Sequence, residues 1–199
     1  MAILIGGPPD SGKSVLCYAL RRSLLEKDQK LKVFIQRANW DGEGNWALEM
    51  SDRQTAQQLK EANTRRIHLL ENSQKLMNDY FTYHAKAIKN IQGVMDIVLV
   101  DMGGKIQPEK YPILQQCSHY IIISSSEEAV ELWHKFFRDL QPSVFIHSVL
   151  DKKLIKLENN KDYLEVIAGP WMTGETISVP EIIVEKVLEI CQKNLPEKF

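Results

Sequence analysis

The chain has 199 residues, of which 44% are hydrophobic and 26% charged, a composition that indicates a folded domain and excludes a disordered segment. Its 25 Lys and Arg nearly balance its 26 Asp and Glu, which excludes a protein that coats DNA or anionic membranes non-specifically. The apolar runs are strand-sized and no basic leader precedes them, so we expect a cytoplasmic protein without a membrane span.

The first 36 residues predict a strand, a glycine-rich loop, a helix and a second strand. A short apolar run at 3–5 ends at two glycines, and apolar residues then recur at helical spacing from Val15 to Leu25. Residues 32–36 are typical of a buried strand. This β-α-β opening requires parallel strands joined by a right-handed crossover.

The remaining chain predicts further strands separated by helices. Residues 52–90 contain little Gly or Pro and predict a helical insertion. Residues 153–157 and 163–167 fit either a hairpin or a loop before a last strand. The other predicted elements are strands at 94–100, 119–124 and 143–149, a helix at 127–140, and a final helix capped by Ser178 ahead of Pro180 and Glu181.

One motif carries a specific chemistry. Residues 7–14 match the phosphate-binding pattern G-x-x-x-x-G-K-S at every position, between a predicted strand and a predicted helix. Backbone amides in such a P-loop surround a triphosphate at the positive end of the helix. We therefore predict ATP and Mg²⁺ as cofactors, with Lys13 bridging the β- and γ-phosphates and Ser14 ligating the metal. The predicted nucleotide-binding residues are Gly7, Pro8, Pro9, Asp10, Ser11, Gly12, Lys13, Ser14, Val15 and Gly104.

The motif and the element order together predict the fold. We expect an α/β P-loop NTPase domain over residues 1–199, a three-layer α/β/α sandwich with a mostly parallel sheet of about five strands and a helical insertion at about 52–90.

A second metal ligand is predicted at the end of a buried strand. Asp101 follows the apolar run at 97–100, at the place where P-loop proteins hold a magnesium carboxylate. Asp96 is the competing acid, but it lies at the start of the same strand. The residues after Asp101 are Met-Gly-Gly-Lys, which resemble the Asp-x-x-Gly of GTPases and kinase-like P-loop proteins. No Glu follows Asp101 directly, and this disfavours a ring-forming motor.

The loop after the second strand predicts an acceptor site. Residues 37–46 contain two acids, two amides, two glycines and two tryptophans, and they leave the sheet edge where ligands bind. Asp41 or Glu43 would activate an acceptor hydroxyl, with Arg37 on a phosphate and Trp40 or Trp46 stacked on a base. The alternative is an ordinary loop whose tryptophans fill the core.

Two weaker features complete the set of candidates. Arg65 and Arg66 would form a lid that stabilises a transferring phosphoryl group, or they lie on a solvated helix face. Residues 169–174 would contact a nucleobase or form a plain turn. The guanine motif Asn-Lys-x-Asp is absent from the sequence, which favours ATP over GTP.

Residues 3–150 resemble the AAA-like P-loop domain that is fused to type III CRISPR-associated ring nucleases. Three segments carry this resemblance: Gly-Gly-Pro-Pro-Asp-Ser-Gly-Lys-Ser, Asp-Gly-Glu-Gly-Asn-Trp and Leu-Val-Asp-Met-Gly-Gly-Lys. The resemblance implies an antiviral context and a ring-nuclease partner protein. The chain starts at the P-loop strand, so ring-nuclease catalysis itself is not carried over.

Two functions follow from these residues. The first is a kinase-type phosphotransferase that acts on a nucleotide or RNA acceptor, with Lys13, Asp41, Glu43, Asp101, Arg65 and Arg66 as its catalytic set. The second is a regulatory nucleotide-binding module or slow ATPase that switches a partner protein. The sequence favours the first slightly and leaves a homo-oligomer open.

Overall fold

The computed structural model describes residues 1–39, 54–55, 58, 71–157, 162–172 and 177–194. Its strands are β1 (Ala2–Gly6), β2 (Val33–Arg37), β3 (Ile97–Asp101), β4 (His119–Ser124), β5 (Gln141–Ser148), β6 (Lys153–Lys156) and β7 (Leu164–Gly169). Its helices are α1 (Lys13–Lys27), α2 (Ser73–Gln92), α3 (Tyr111–Leu114), α4 (Glu127–Phe136) and α5 (Glu181–Asn194), and a 3₁₀ turn (Pro108–Lys110) leads into α3.

The strands form one sheet in the order β2-β3-β1-β4-β5-β7-β6, parallel throughout except for β6, which runs antiparallel to β7. The mostly parallel sheet is confirmed, but the predicted count of about five strands is wrong, because the sheet has seven. The two additional strands come from the segments that fitted either a hairpin or a loop. Every residue of β6 is exposed, so this edge strand lacks the apolar alternation that marks a half-buried strand in a sequence.

Helices cover both faces of the sheet, as the sandwich prediction requires. Ile3 and Ile5 of β1 belong to the core beneath α1 and α5, whereas Leu4 belongs to the core beneath α2, α3 and α4. Successive side chains of a strand point to opposite faces, so one central strand contributes to both cores. Buried apolar runs in β1, β3 and β4 reflect this two-sided covering.

Two helix boundaries differ from the prediction. Helix α4 ends at Phe136, and residues 137–140 form the short turn that leads into β5. Helix α5 begins at Glu181, and the amides of Ile183 and Val184 donate to the Pro180 carbonyl. Ser178 therefore lies ahead of the first turn and does not occupy the capping position. Of the predicted insertion at 52–90, α2 is the part that the structure describes as a continuous element. None of the described helices combines the length and apolar character needed to cross a bilayer.

Candidate functional site

The P-loop leaves the centre of the sheet. Strand β1 lies between β3 and β4, and residues 7–12 connect its carboxyl end to the first turn of α1. Asp10 and Gly12 have left-handed backbone conformations, with φ of 58° and 91°. Such residues turn successive amides toward one concave side. The first turn of α1 contains no acidic residue, so the positive end of its dipole is available to an anion.

Gly12 also allows a close contact with a distant loop. A Cβ at this position would lie 2.6 Å from the Cβ of Trp171, so any larger residue would push the two segments apart. Trp171 is buried, and its indole nitrogen donates to the Ala168 carbonyl at 2.8 Å. The loop after β7 therefore packs against the P-loop. The sequence predicted that residues 169–174 contact a nucleobase or form a plain turn, and that choice stays a prediction; it did not predict the contact of Trp171 with Gly12, because the two residues are far apart in the chain and share no motif.

The P-loop residues differ in exposure. Pro9 and Asp10 are exposed at the crest of the loop, whereas Gly7 and Lys13 are buried. The Lys13 ammonium donates to the Pro8 carbonyl at 2.5 Å and lies 3.4 Å from the Ser11 hydroxyl oxygen. The lysine side chain thus folds back over the P-loop, where its ammonium would lie close to the phosphates of a bound nucleotide. Val15 is partly buried, and its side chain packs against the core beneath α1.

Strand order brings the predicted metal ligands together. β3 pairs directly with β1, in a register that sets Asp101 opposite Ile5. The Ser14 hydroxyl, in the first turn of α1, donates to Asp101 Oδ2 at 2.5 Å. Two adjacent hard oxygens are the donor type that Mg²⁺ prefers, and they need to separate by only roughly 0.5 Å to be neighbouring ligands of one octahedral ion. This pair therefore fits the metal.

The competing acid lies at the amino end of β3, at the opposite end of the strands from the P-loop. Asp96 precedes β3, and its carboxylate accepts the Lys32 amide at 2.9 Å. Its backbone carbonyl accepts the amino group of Met1. Asp96 thus ties the amino ends of the strands together, away from the P-loop.

Arg37 adds a second buried cation to the site. Arg37 ends β2 opposite Asp101, and its Nε lies 3.7 Å from Asp101 Oδ2. Cys17, on the next turn of α1, has a pKa raised well above its usual value by burial and then by the Asp101 charge, while Arg37 and Lys13 act in the opposite direction. Burial also raises the pKa of the Tyr80 phenol on α2 to about 12. Both groups are therefore neutral near pH 7, and among the residues that the structure describes Lys13, Arg37 and Asp101 bring charge to the site.

The segment after Asp101 contacts the P-loop directly. A Cβ on Gly104 would lie 2.5 Å from the Pro9 nitrogen, so glycine is needed for this approach. Lys110, in the 3₁₀ turn, is fully buried, and its ammonium donates to the Lys105 carbonyl at 2.5 Å. The same ammonium lies 5.9 Å from the ring centre of Phe81 on α2. These contacts form a continuous path from the P-loop to α2, which sequence patterns did not predict.

Apart from Arg37, which lies beside Asp101, the predicted acceptor and lid residues lie outside the described part of the chain. They are Trp40, Asp41, Glu43, Trp46, Arg65 and Arg66. The structure therefore brings together the predicted phosphate and metal residues, while the acceptor and lid assignments stay predictions.

Three solved structures resemble this chain. A Borrelia burgdorferi protein described as a plasmid partition protein, bound to AMPPNP, is 16% identical, covers 98% of both chains and gives a TM-score of 0.56. McdA from Cyanthece, in its apo form, is 14% identical, with 74% of this chain and 71% of McdA covered and a TM-score of 0.51. MinD from Pyrococcus horikoshii, a septum site-determining protein complexed with Mg-ADP, is 14% identical, with 74% and 70% covered and a TM-score of 0.49.

The likeness to the partition protein and to McdA, with TM-scores above 0.5, establishes the fold. The chain has the P-loop NTPase fold, with a mostly parallel sheet between helical layers. No protein-family model matches the chain, and a search of curated proteins finds no match. The partition protein and McdA give no support to the CRISPR-associated context or to a kinase.

Proposed function

We propose that this chain binds Mg²⁺-ATP at its P-loop and hydrolyses it as a regulatory ATPase that switches a partner protein. The observation that carries the proposal is the convergence of Lys13, Ser14 and Asp101 at the carboxyl edge of β1 and β3. AMPPNP, bound to the partition protein of the same fold, supports adenine nucleotide as the ligand.

Phosphate binding follows from the loop and its lysine. Residues 7–12 present amides at the positive end of α1, and the Lys13 ammonium donates to the neutral Pro8 carbonyl. Exchanging that carbonyl for a phosphate oxygen replaces a neutral acceptor with an anionic one, so the ammonium gains the attraction between opposite charges. The hydrogen bond to the Pro8 carbonyl therefore holds the Lys13 ammonium close to where the phosphates would bind. Exchanging this hydrogen bond for one to a phosphate oxygen lowers the free energy.

Ser14 and Asp101 would hold the metal. Both offer oxygen ligands beside the P-loop, where the phosphates would lie, and Asp101 is 2% exposed, so its charge is little screened by water. Mg²⁺ held by these two residues would neutralise charge that develops on the transferring phosphoryl group. The protein contributes a fixed carboxylate, a hydroxyl and a lysine placed before the reaction begins.

The switching role is supported by the segment after Asp101. Gly104 packs against Pro9, and Lys110 links the Lys105 carbonyl to Phe81 on α2. A phosphate that moves the P-loop by a few tenths of an ångström must also move Gly104, because no free space separates them. Helix α2 is the element that receives this movement, so a partner protein would detect the nucleotide there.

The first test is the Lys13→Ala variant. One charge-assisted contact contributes about 1.5–3 kcal/mol, so we expect Mg²⁺-ATP binding at least roughly tenfold weaker, measured by calorimetry. Lys30→Ala is the matched control, because Lys30 is exposed beyond the far end of α1. Equal affinities in the wild type and in Lys13→Ala would remove Lys13 from the site.

A second experiment separates the ATPase from the kinase. The protein is incubated with γ-labelled ATP and a panel of nucleosides, nucleotides, short RNAs and linear oligoadenylates. We expect label in free phosphate, at a rate that Asp41→Asn and Glu43→Gln leave unchanged. Label in an acceptor, lost in either variant, would replace the regulatory ATPase with the phosphotransferase.

A further inference from the structure

Arg37 and Asp101 are held side by side by the sheet. Val33 and Ile35 of β2, like Ile97 and Leu99 of β3, pack into the core beneath α1. Continuing each strand by two residues places Arg37 and Asp101 on that same face, in direct register. The Ala38 amide donates to the Asp101 carbonyl at 2.8 Å just beyond the pair. Backbone hydrogen bonds therefore fix the positions from which the two side chains extend.

The two side chains meet at one oxygen. Asp101 Oδ2 accepts the Ser14 hydroxyl at 2.5 Å and lies 3.7 Å from Arg37 Nε. The side chains of Arg37 and Asp101 are only 8% and 2% exposed, so solvent screens their attraction weakly. Oδ2 is also the oxygen that lies next to Ser14, where the metal would be bound. The guanidinium and the metal therefore require the same oxygen.

We infer that Arg37 is a positioning residue that serves as the counter-ion of Asp101 in the metal-free protein and leaves Oδ2 when Mg²⁺ enters. This inference rests on the proposed function, because it assigns a metal to Ser14 and Asp101. In the metal-free state Arg37 places a positive charge beside the buried carboxylate, 3.7 Å from Oδ2. Its cost is that a divalent cation must displace a cation already in place, so Arg37 lowers the metal affinity of the nucleotide-free site.

The guanidinium has a second acceptor available at the same edge. Arg37 and the P-loop lie at the carboxyl ends of their strands, and the planar fork of arginine fits phosphate oxygens as well as carboxylates. A residue that leaves Asp101 can therefore remain paired once a nucleotide is bound. Release from Asp101 and arrival of the metal are then linked through a single oxygen atom.

The test measures metal binding without turnover. Mn²⁺ is titrated into the nucleotide-free protein, and the free ion is followed by electron paramagnetic resonance. Arg37→Met removes the competing cation and should tighten Mn²⁺ binding at least roughly tenfold, because Oδ2 no longer shares its charge. Arg37→Lys keeps the cation and should stay within about threefold of the wild type. Arg21→Met is the matched control: it removes the same charge from a side chain that donates to the Val33 carbonyl, away from Asp101.

Unchanged or weaker Mn²⁺ binding in Arg37→Met, or an equal change in Arg21→Met, would overturn the inference. Should Arg37→Met fail to fold in chelator, Arg37→Gln is used, and either variant must then recover its melting temperature when Mg²⁺ is added. Failure to recover also contradicts the exchange. A wild type that binds Mn²⁺ but not AMPPNP would refute the proposed function alone, since the comparison of Mn²⁺ affinities needs no nucleotide.

Discussion

A methyl group added at Gly104 tests whether the segment after Asp101 reports the state of the P-loop. The new Cβ would lie 2.5 Å from the Pro9 nitrogen and 2.7 Å from its Cα. Ordinary contact begins at 3.4 Å, so the two segments must separate by about 0.9 Å, a distance set by backbone and not by a flexible side chain. The consecutive prolines 8 and 9 have restricted φ angles, which limits the ability of the loop to yield.

We expect Gly104→Ala to lower both stability and turnover. Overpacking of this kind costs roughly 1–3 kcal/mol, and in a chain of this size each kcal/mol lowers the melting temperature by about 2–4 °C. A displacement of about 1 Å at a phosphate site lowers turnover by roughly 100-fold. The measurements are the rate of phosphate release from ATP and the melting temperature of the nucleotide-free protein.

Gly93→Ala is the control for Gly104→Ala. Gly93 follows α2 with an ordinary right-handed φ of −68°, and a Cβ there would lie 3.2 Å from the Asn90 carbonyl oxygen. Both changes remove the same freedom from the unfolded chain, so the difference between the variants isolates the contact with Pro9. Wild-type turnover and melting temperature in Gly104→Ala would refute the path from the P-loop to α2.

Two further predictions concern stability. Asp101→Asn leaves the buried Arg37 charge without its carboxylate and should lower the free energy of unfolding by roughly 3–5 kcal/mol in urea titrations without nucleotide; a loss below about 1 kcal/mol would contradict a buried ion pair. Burial lowers the pKa of His84 below its ordinary value of 6.5, so the unfolded chain takes up the proton first as the pH falls. Stability should therefore be nearly constant between pH 6.5 and about 8, below the ordinary pKa of cysteine, and should fall as the pH drops below 6.5. His84→Gln should weaken the pH dependence of the free energy of unfolding, measured by urea titrations at a series of pH values. The pH dependence that remains is due to His119, whose pKa burial also lowers. An unchanged slope in His84→Gln would show that His84 is not its source.

The sequence alone determined the proposed phosphate-binding end of the site. Residues 7–14 form a continuous motif, and its function depends on backbone amides that follow one another in the chain. The sequence also predicted the strand before the motif, the helix after it and the buried strand that ends at Asp101. The strands could be predicted because burial of both strand faces produces continuous apolar runs. Ser14 and Asp101 could therefore be assigned as a pair before their distance was known.

Tertiary structure decided which residues surround that motif. The pairing of β3 with β1 on one side and β2 on the other sets Arg37 beside Asp101, and the loop after β7 brings Trp171 to Gly12. A local sequence pattern indicates which residues are buried, but it does not indicate which strand lies next to which. The order of the strands depends on packing in both cores of the sheet. The ion pair at Asp101 and the contact between Gly104 and the P-loop therefore form only when the whole sheet is assembled.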